Sequence, residues 1–335
     1  MSNLSELLPA GAGAKSADFV ASGTLASGQT VALKTDGTVE AVSAVPESAG
    51  SAVVFEAAAL VYIASTYDSN SNKVVIGYRD DGNSNYGTAV VGTVSGTSIS
   101  FGTPVVFETS NTAYLSATFD SNSNKIVFAY NDAGNSDYGT AIVGTVSGTS
   151  ISFGTAVIFE SATTLYVSAT FDSNANKVVI SYADLGNSSH GTGIVGTVSG
   201  TSISFGTAAV FATATVDSIK LCFDASTNKT LIAYSKASAS NHGTAVVATV
   251  SGTAISFGSP VTFNAAGTYQ IGAVYSPTAK KTVITYRDLG NSGYGTLVNA
   301  TISGTSVSFS SEFVFNAAST SYTAPVYDSN ADKTV

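Results

Sequence analysis

The chain of 335 residues has no tryptophan, one cysteine, one methionine and six prolines, and only 10% of its residues are charged. With one cysteine, an intrachain disulfide and a cysteine-ligated metal cluster are both excluded. That cysteine, Cys222, occupies a position where Thr118 and Thr170 stand in earlier copies of the repeat described below. We therefore interpret it as a small buried residue rather than as a nucleophile.

Positive charge is also scarce. Thirteen Lys and Arg are scattered along the chain against 22 Asp and Glu, which gives a net charge of −9. Nucleic acids and anionic membrane surfaces are bound by basic patches, so neither is expected as a partner. No run of eighteen apolar residues occurs, and the first residues lack the basic start and apolar run of a secretory signal. We therefore expect synthesis in a cytoplasm and no membrane insertion.

The chain is instead built from copies of one unit. Residues 120–159 return as residues 172–211 with 29 of 40 positions unchanged. The first residue of the unit recurs at a constant step of 52, at Asp68, Asp120, Asp172, Asp224, Ser276 and Asp328. So constant a period indicates stacked structural copies. The abundance of glycine, serine, threonine and β-branched residues predicts an all-β fold rich in turns.

One copy contains four predicted strands: Tyr114–Phe119, Lys125–Tyr130, Gly139–Val146 and Ser150–Phe159. The third and fourth are joined only by Ser147 and Gly148, and a two-residue link suits an antiparallel hairpin but not a parallel solenoid. Four antiparallel strands in about fifty residues, repeated without helices, are typical of a β-propeller blade. The fold class is therefore predicted to be an all-β propeller with a 52-residue repeat.

The ends of the repeat region suggest how many blades there are. Gly50–Phe55 lies in register with Gly102–Phe107 and predicts a lone fourth strand. Tyr322–Tyr327 predicts a first strand, and Thr334 and Val335 would begin a second. The count predicts five complete blades and the edges of a sixth, hence six or more blades. It also carries the expectation that the natural chain runs on beyond Val335.

The leader divides into a docking segment, residues 1–20, and a small β module, residues 21–49, before the repeats of residues 50–335. Asn3–Leu8 could form one helical turn with Leu4, Leu7 and Leu8 on one side, followed by a Gly-rich tether at Ala10–Ala17. These leucines favour docking to another protein, and a frayed terminus is the alternative. The module is predicted to contain strands at Phe19–Leu25, Thr30–Lys34 and Thr38–Val42, with turns at Ser27–Gly28 and Asp36–Gly37.

Two resemblances follow from these patterns. The succession D-x-N-x-N-K, Y-x-D, G-N-S-x-Y-G-T and V-S-G-T-S-I-S-F-G resembles the blade layout of sialidase-like or kelch-like propellers, although the S-x-D-x-G-x-x-W box of sialidases is absent. The leader LSELLPAGAGAKSADFVASGTLASGQTVALKTDGTVEAV is similar to the openings of virion-associated and tail-fibre-like proteins of marine bacteriophages. This resemblance implies a virion protein, oligomeric in the particle and attached through its N-terminus to other virion proteins. It identifies no functional residue.

Two patterns that could carry chemistry have structural explanations. Asp120, Asn122 and Asn124, like their equivalents, have the spacing of a calcium loop but lack its central glycine and closing glutamate. Aspartate and asparagine also suit tight turns, so no metal and no cofactor are predicted. His190 and His242 stand where Tyr86, Tyr138 and Tyr294 stand in other copies, which favours a packing role at each blade.

The strongest candidates for a catalytic carboxylate recur in register. They end the second strands of their copies, with Lys236 in the remaining copy, and are Asp80, Asp132, Asp184 and Asp288. Because the groups of an enzyme site need unlike environments, such regular repetition argues against a hydrolase. A binding surface fits better, since the copies differ most in the loops after the second strand and in the links between blades. The predicted ligand-binding residues there are Arg79, Asp80, Tyr86, Asp132, Tyr138, Asp184, His190, Arg287 and Asp288.

The sequence thus predicts a non-enzymatic virion protein, made in the host cytoplasm, that displays a propeller for attachment to host-surface glycans. Solvated loops free to drift are the alternative explanation of the variable residues. A secreted propeller glycan hydrolase and a purely structural particle decoration are the alternative functions.

Overall fold

The computed structural model describes residues 20–25, 31–41 and 50–335. The chain forms two compact units, residues 1–50 and 51–335. The predicted docking leucines Leu4, Leu7 and Leu8 and the turn at Ser27–Gly28 lie outside the described residues. Within the ranges described, no helix is long and apolar enough to cross a membrane.

The first unit contains an antiparallel hairpin of β1 (Val31–Leu33) and β2 (Val39–Ala41). Its turn is held by Asp36, whose Oδ1 accepts hydrogen bonds from the backbone N of Thr38 at 3.0 Å and from its hydroxyl at 2.7 Å. Both strands are shorter than predicted. Of the described part of the predicted strand Phe19–Leu25, only Ala21 pairs, in a single parallel bridge to Val39.

The second unit is built from five antiparallel sheets, which we number I to V along the chain. Sheet I contains β3 (Leu60–Asp68), β4 (Lys73–Asp80), β5 (Tyr86–Ser95) and β6 (Ser98–Phe101). The next strand, β7 (Val105–Asp120), is shared with sheet II, which continues with β8 (Lys125–Asp132), β9 (Tyr138–Ser147) and β10 (Ser150–Phe153).

The later sheets repeat this order. Sheet III contains β11 (Val157–Asp172), β12 (Lys177–Asp184), β13 (His190–Ser199) and β14 (Ser202–Phe205). Sheet IV contains β15 (Ala209–Asp224), β16 (Lys229–Lys236), β17 (His242–Ser251) and β18 (Ala254–Phe257). Sheet V contains β19 (Val261–Ser276), β20 (Lys281–Asp288), β21 (Tyr294–Ser303), β22 (Ser306–Phe309) and β23 (Phe313–Ser319). A last hairpin pairs β24 (Tyr327–Asp328) with β25 (Lys333–Thr334), and single 3₁₀ turns occupy Ala133–Asn135, Leu185–Asn187, Ala237–Ala239 and Leu289–Asn291.

The four long strands belong to two sheets each, which corrects two predictions. In β11 the first residues pair with β9 of sheet II, and the residues from Thr164 onward pair with β12 of sheet III. The predicted strand Ser150–Phe159 is therefore two segments, and the predicted inter-blade loop is continuous strand. The chain bends through register shifts within the strand, because extra residues in a β-bulge turn a strand without ending it.

The break after β10 and the bend in each long strand have local causes. At Gly154 a Cβ atom would collide with the backbone carbonyl of Thr201 in the hairpin of the next sheet. The bend places one non-glycine residue of each copy in the left-handed region, with φ between 49° and 59°: Tyr62, Tyr114, Tyr166, Ser218, Gln270 and Tyr322. Such a φ is unusual for a bulky side chain and persists only where the surrounding ladder holds it.

The ends of the second unit differ from the prediction. Gly50–Phe55 is not a strand, and the predicted strand Tyr322–Tyr327 is reduced to β24. A lone fourth strand has no backbone partner here, because the described residues contain no third strand for it to pair with. Phe55 nevertheless packs like its equivalent Phe107: its ring lies 5.4 Å from those of Tyr78 and Phe101.

The core follows the second strands, whose sequences are almost continuously apolar. In β8 every residue from Ile126 to Asp132 is buried, and its equivalents in sheets III and IV are buried to a similar extent. The largest fully buried side chains are one tyrosine per sheet: Tyr78, Tyr130, Tyr182, Tyr234 and Tyr286. Both faces of these strands are covered, which explains their almost continuous apolar sequence.

Hydrogen bonds from these tyrosines join neighbouring sheets. Tyr130 in sheet II donates to Glu108 Oε2 at 3.1 Å, and Tyr182 in sheet III donates to Glu160 Oε2 at 3.0 Å. Glu108 and Glu160 lie on the shared long strands, where these pair with the preceding sheet. Burial, followed by the nearby glutamate, raises the pKa of Tyr130 and Tyr182. Burial also raises the pKa of Glu160.

The turns with the D-x-N-x-N pattern are structural. Asp120 Oδ1 accepts hydrogen bonds from the backbone N of Asn122 at 2.9 Å and of Ser123 at 3.0 Å, and Asn124 adopts a left-handed φ of 55°. Asp68, Asp172 and Asp224 make the equivalent bonds. The prediction that these side chains bond their own backbone is confirmed.

We call the strand that begins each sheet its inner strand. The inner strands of successive sheets lie side by side around one cavity, which we call the axial cavity. Ser116 Oγ accepts a hydrogen bond from the backbone N of Ala169 at 2.9 Å, and Ser168 Oγ accepts one from Leu221 N at 3.1 Å. Residues from all five inner strands and from residues 323–326 line the cavity. The second unit is therefore propeller-like and all-β, as predicted.

The tyrosine bonds between sheets predict a measurable difference between two conservative variants. Tyr130→Phe should lower the free energy of unfolding by about 1–2 kcal/mol, because Glu108 loses its buried donor. Tyr234→Phe is the matched control, since Ala212 stands where the first three copies have Glu56, Glu108 and Glu160, and Tyr234 makes no side-chain hydrogen bond among the described residues. Urea denaturation of both variants would measure this difference. Equal losses would show that the inter-sheet bond contributes nothing.

Candidate functional site

The loops that vary most between copies lie against the bends of the long strands. The backbone N of Thr112 donates to Asn85 O at 3.3 Å, that of Thr164 to Asp137 O at 3.1 Å, and that of Thr268 to Asn241 O at 2.9 Å. Each bond joins a bend to the end of a loop between second and third strands. We call the surface formed by these loops and bends the variable face.

The four predicted carboxylates on this face shape its loops. Asp132 Oδ1 accepts hydrogen bonds from Gly134 N at 3.0 Å and from the Ser110 hydroxyl at 2.7 Å, and caps the 3₁₀ turn that follows. Asp80, Asp184 and Asp288 accept equivalent backbone bonds, and all four residues are buried. Lys236 makes no such cap in sheet IV. These carboxylates would act on a ligand mainly through the loops that they hold.

The predicted aromatic residues begin the third strands. Tyr86, Tyr138 and His190 are half-buried and pair across the ladder with Asp80, Asp132 and Asp184. The structure thus brings predicted residues together in pairs, once per sheet, and not into one cluster. Their part in ligand binding stays a prediction.

Arg79 forms a polar cluster on the variable face. Its guanidinium carbon lies 5.2 Å from the centroid of the Tyr62 ring, and its Nε donates to Asp81 Oδ1 at 2.8 Å. Its Nη1 also donates to Asn111 Oδ1 at 3.4 Å. The cluster therefore holds an aromatic ring, a cation, a carboxylate and an amide on one side of sheet I.

The equivalent Arg287 has different surroundings. Leu289 stands where the first copy has Asp81, and Gln270 stands where it has Tyr62. The Nη2 of Arg287 donates to Ser319 Oγ at 3.4 Å. Its Nε is buried without a hydrogen-bond partner, and no carboxylate pairs with it among the residues described. Asp81 thus neutralises the charge of Arg79, whereas no carboxylate among the described residues neutralises that of Arg287.

A row of tyrosines at the bends was missed in the sequence. The rings of Tyr62 and Tyr114 lie 5.2 Å apart, as do those of Tyr114 and Tyr166. Burial, and then the nearby Asp217 carboxylate, raises the pKa of Tyr166 to about 12. The 52-residue repeat places these tyrosines at equivalent positions, but the sequence predicts Tyr114 only as the start of a strand. The left-handed φ of Tyr114 could not be predicted from the sequence.

The row and the Arg79 cluster together offer the groups that recognise a polyhydroxylated ligand. Tyr62 is 37% exposed and presents an apolar ring, while Arg79 supplies donors, and Asp81 and Asn111 supply acceptors. The described residues contain no group of three or more histidine, cysteine, aspartate or glutamate side chains arranged to hold a metal ion.

A cavity of about 620 Å³ lies between sheet V and the last hairpin. We do not interpret it as a ligand site. Its wall includes Phe315, which is 45% exposed. The equivalent Phe263 packs against Tyr286 and Phe309 at 5.3 and 5.5 Å. The cavity is therefore an inter-sheet contact surface that lacks its aromatic partners in the described structure.

The fold is similar to that of solved structures with low sequence identity. The BP39L lectin from Burkholderia pseudomallei is 14% identical, with 77% of this chain and 72% of that chain covered and a TM-score of 0.55. AofleA from Arthrobotrys oligospora is 9% identical, with 80% and 76% covered and a TM-score of 0.52. An exo-β-1,3-galactanase from Phanerochaete chrysosporium is 10% identical, with 60% of this chain and 49% of that chain covered and a TM-score of 0.42. This similarity is too low to support a common fold.

No protein-family model and no curated protein matches the sequence. At identities below 25%, the structural similarities show the fold alone.

The role of the buried aspartates predicts a stability loss. Asp132→Ala should lower the free energy of unfolding by about 1 kcal/mol, because the backbone N of Gly134 loses its cap. Lys236→Ala removes the equivalent side chain in sheet IV, where no cap exists, and should change stability by less than about 0.5 kcal/mol. Thermal or urea denaturation would compare the two. If both losses were equally small, the carboxylate would not be holding the loop.

Proposed function

We propose that the chain is a non-enzymatic carbohydrate-binding protein whose site lies on the variable face, around the Tyr62–Tyr114–Tyr166 row and Arg79. The observation that carries this proposal is the Arg79 cluster itself. It joins a partly exposed ring to charged and amide groups on a surface where the copies differ. The lectin fold of BP39L adds support at the level of architecture.

The chemistry of a sugar fits this surface. A pyranose ring presents C–H groups on one face, which pack on an aromatic ring, and hydroxyls at its edge, which need both donors and acceptors. Tyr62 supplies the ring and Arg79 supplies donors. Asn111 and Asp81 supply acceptors, although both now bond to Arg79 and would have to share their oxygens with the ligand.

We further propose that the sheets close into a propeller of six blades with a 52-residue repeat. Segments from six inner positions line the axial cavity, which supports six blades around one axis. Phe55 packs against sheet I in the way that Phe107 packs against sheet II, which supports residues 50–57 as the outer edge of a sixth blade.

An enzymatic role has less support. A glycosidase needs two carboxyl groups that flank one bond in unlike environments. Asp80, Asp132, Asp184 and Asp288 are instead buried in like environments, each bonded to the backbone of its own loop.

The leader suggests a setting for this binding function. We propose that the protein is a virion component, made in the host cytoplasm, and that its N-terminal segment with Leu4, Leu7 and Leu8 docks it to other virion proteins in an oligomeric assembly. The support is the residue pattern of the leader, which resembles the openings of phage virion proteins and places three leucines ahead of a Gly-rich segment. On this proposal the propeller binds a glycan on the host surface.

The binding proposal predicts loss of glycan affinity in a double variant, Tyr62→Gln with Arg79→Ala. Gln270 occupies the equivalent backbone position in the fifth copy, so the left-handed φ is retained. Affinity should fall at least tenfold, about 1.4 kcal/mol, because the ring and the cation are both removed. A glycan array would find the ligand, and calorimetry would measure its affinity.

The control is Asn122→Ser, which lies in a hairpin turn between first and second strands and introduces the residue found at the equivalent Ser226. Its glycan affinity should equal that of the parent protein. The reverse result, with affinity lost in Asn122→Ser and kept in the double variant, would place the site among the hairpin turns.

The docking proposal predicts that removal of residues 1–20 abolishes incorporation into particles. Isolated virions would be probed for the truncated chain, and circular dichroism of the same chain would check that its sheets remain folded. Incorporation at the level of the full chain would contradict the docking proposal and leave the binding proposal untouched.

A further inference from the structure

The axial cavity has a volume of about 380 Å³ and a wall of mostly small residues. Alanines and serines of the inner strands make up much of this wall, with residues 323–326 at its last side. The cavity communicates with solvent, since the neighbouring Ile63 is 56% exposed. A water molecule occupies about 30 Å³ of liquid, so the space holds a small solute as well as water.

One charged side chain enters this cavity, that of Lys220. The equivalent positions in the other copies hold small residues: Ala64, Ser116, Ser168, Gly272 and Ala324. Lysine is thus the one long side chain at a position where the repeat otherwise keeps the axis open. No hydrogen bond or ion pair joins the side chain of Lys220 to the rest of the described chain.

The charge of Lys220 has no counter-charge in the wall. None of the residues that line the cavity is an aspartate or a glutamate, although the chain carries a net charge of −9. Asp217, three residues earlier, lies near Tyr166 instead, where its carboxylate raises the pKa of the tyrosine. The side chain of Lys220 is exposed to solvent in the cavity, and desolvation by the surrounding strands lowers the pKa of its ammonium group.

Two hydroxyls of the same wall are oriented by their own acceptor bonds. Ser116 Oγ accepts from the backbone N of Ala169, and Ser168 Oγ accepts from Leu221 N. A serine hydroxyl can donate one hydrogen bond as well as accept, and neither hydroxyl donates to another described residue. The cavity therefore offers two O–H donors in addition to the N–H donors of Lys220.

We propose that the axial cavity binds a small oxyanion, with the Lys220 ammonium as its counter-charge and the Ser116 and Ser168 hydroxyls as further donors. Lysine binds carboxylate and phosphate groups as a compact charge with three donors. An anion that enters the cavity would compensate a cation that has no counter-charge in the wall. The ligand is either a free ion such as phosphate or the carboxylate of an acidic sugar.

The test is calorimetric titration of the full chain, at constant ionic strength, with inorganic phosphate, glucuronate and uncharged glucose. Phosphate or glucuronate should bind with one site per chain. Lys220→Ser should weaken that binding at least tenfold. This variant introduces the residue found at Ser116 and Ser168, so it should fold, and denaturation midpoints would verify that it does. Lys220→Met, which keeps the length of the side chain without its charge, serves as the second variant.

The matched control for charge is Lys280→Asn. It also removes one lysine, but in an exposed hairpin turn where the first four copies have asparagine with nearly the same left-handed φ. Its anion affinity should equal that of the parent. Binding of phosphate without glucuronate would identify a free ion as ligand, and binding of glucuronate without glucose would identify the sugar carboxylate. Absence of both, or equal affinity in the Lys220 variants, would overturn the proposal.

This site is separate from the variable-face cluster and does not rest on it. Glucose binding that Lys220→Ser leaves unchanged would belong to the variable face. Failure of the axial site would therefore leave the carbohydrate proposal standing.

Discussion

The structure depends on one constraint, the passage of a single strand from one sheet into the next. In β7, β11, β15 and β19 the first residues complete the ladder of one sheet, and the later residues begin the ladder of another. Backbone hydrogen bonds thus continue across each junction, and the angle between sheets is fixed by the bend in the shared strand. The buried tyrosines then fill the junctions, and in sheets II and III bond to a glutamate of the shared strand.

Periodicity made most of this architecture predictable. The antiparallel order, the buried second strand and the aspartate turns all follow from residue patterns that act locally, such as the apolar run of β8 or the short Ser147–Gly148 link. The shared strand could not be predicted in the same way. Its bend depends on register shifts between two ladders, which are contacts between residues far apart in sequence, and the polar residues around Ser161 read as a loop because their partners in space were unknown.

The surroundings of the predicted site residues could be predicted only in part. Variation between copies points to the loops after the second strand, and the structure places Arg79 there in contact with Tyr62 and Asp81. The same variation could not distinguish a buried capping carboxylate such as Asp132 from an accessible one, because both are polar residues in a changing loop. Nor could it reveal the tyrosine row, whose members meet only because each bend turns its ring toward the neighbouring copy.

A repeated backbone gives every copy the same geometry, so differences in binding between copies must come from side chains alone. At the bend the first three copies have tyrosine and the next two have Ser218 and Gln270, although φ is nearly the same at all five. At the axis a single lysine replaces alanine, serine or glycine. In a chain with so few charges, each substitution of this kind changes the local field without altering the ladder. The fold thereby places unlike sites on equivalent supports, and their chemistry can change while the sheets stay the same.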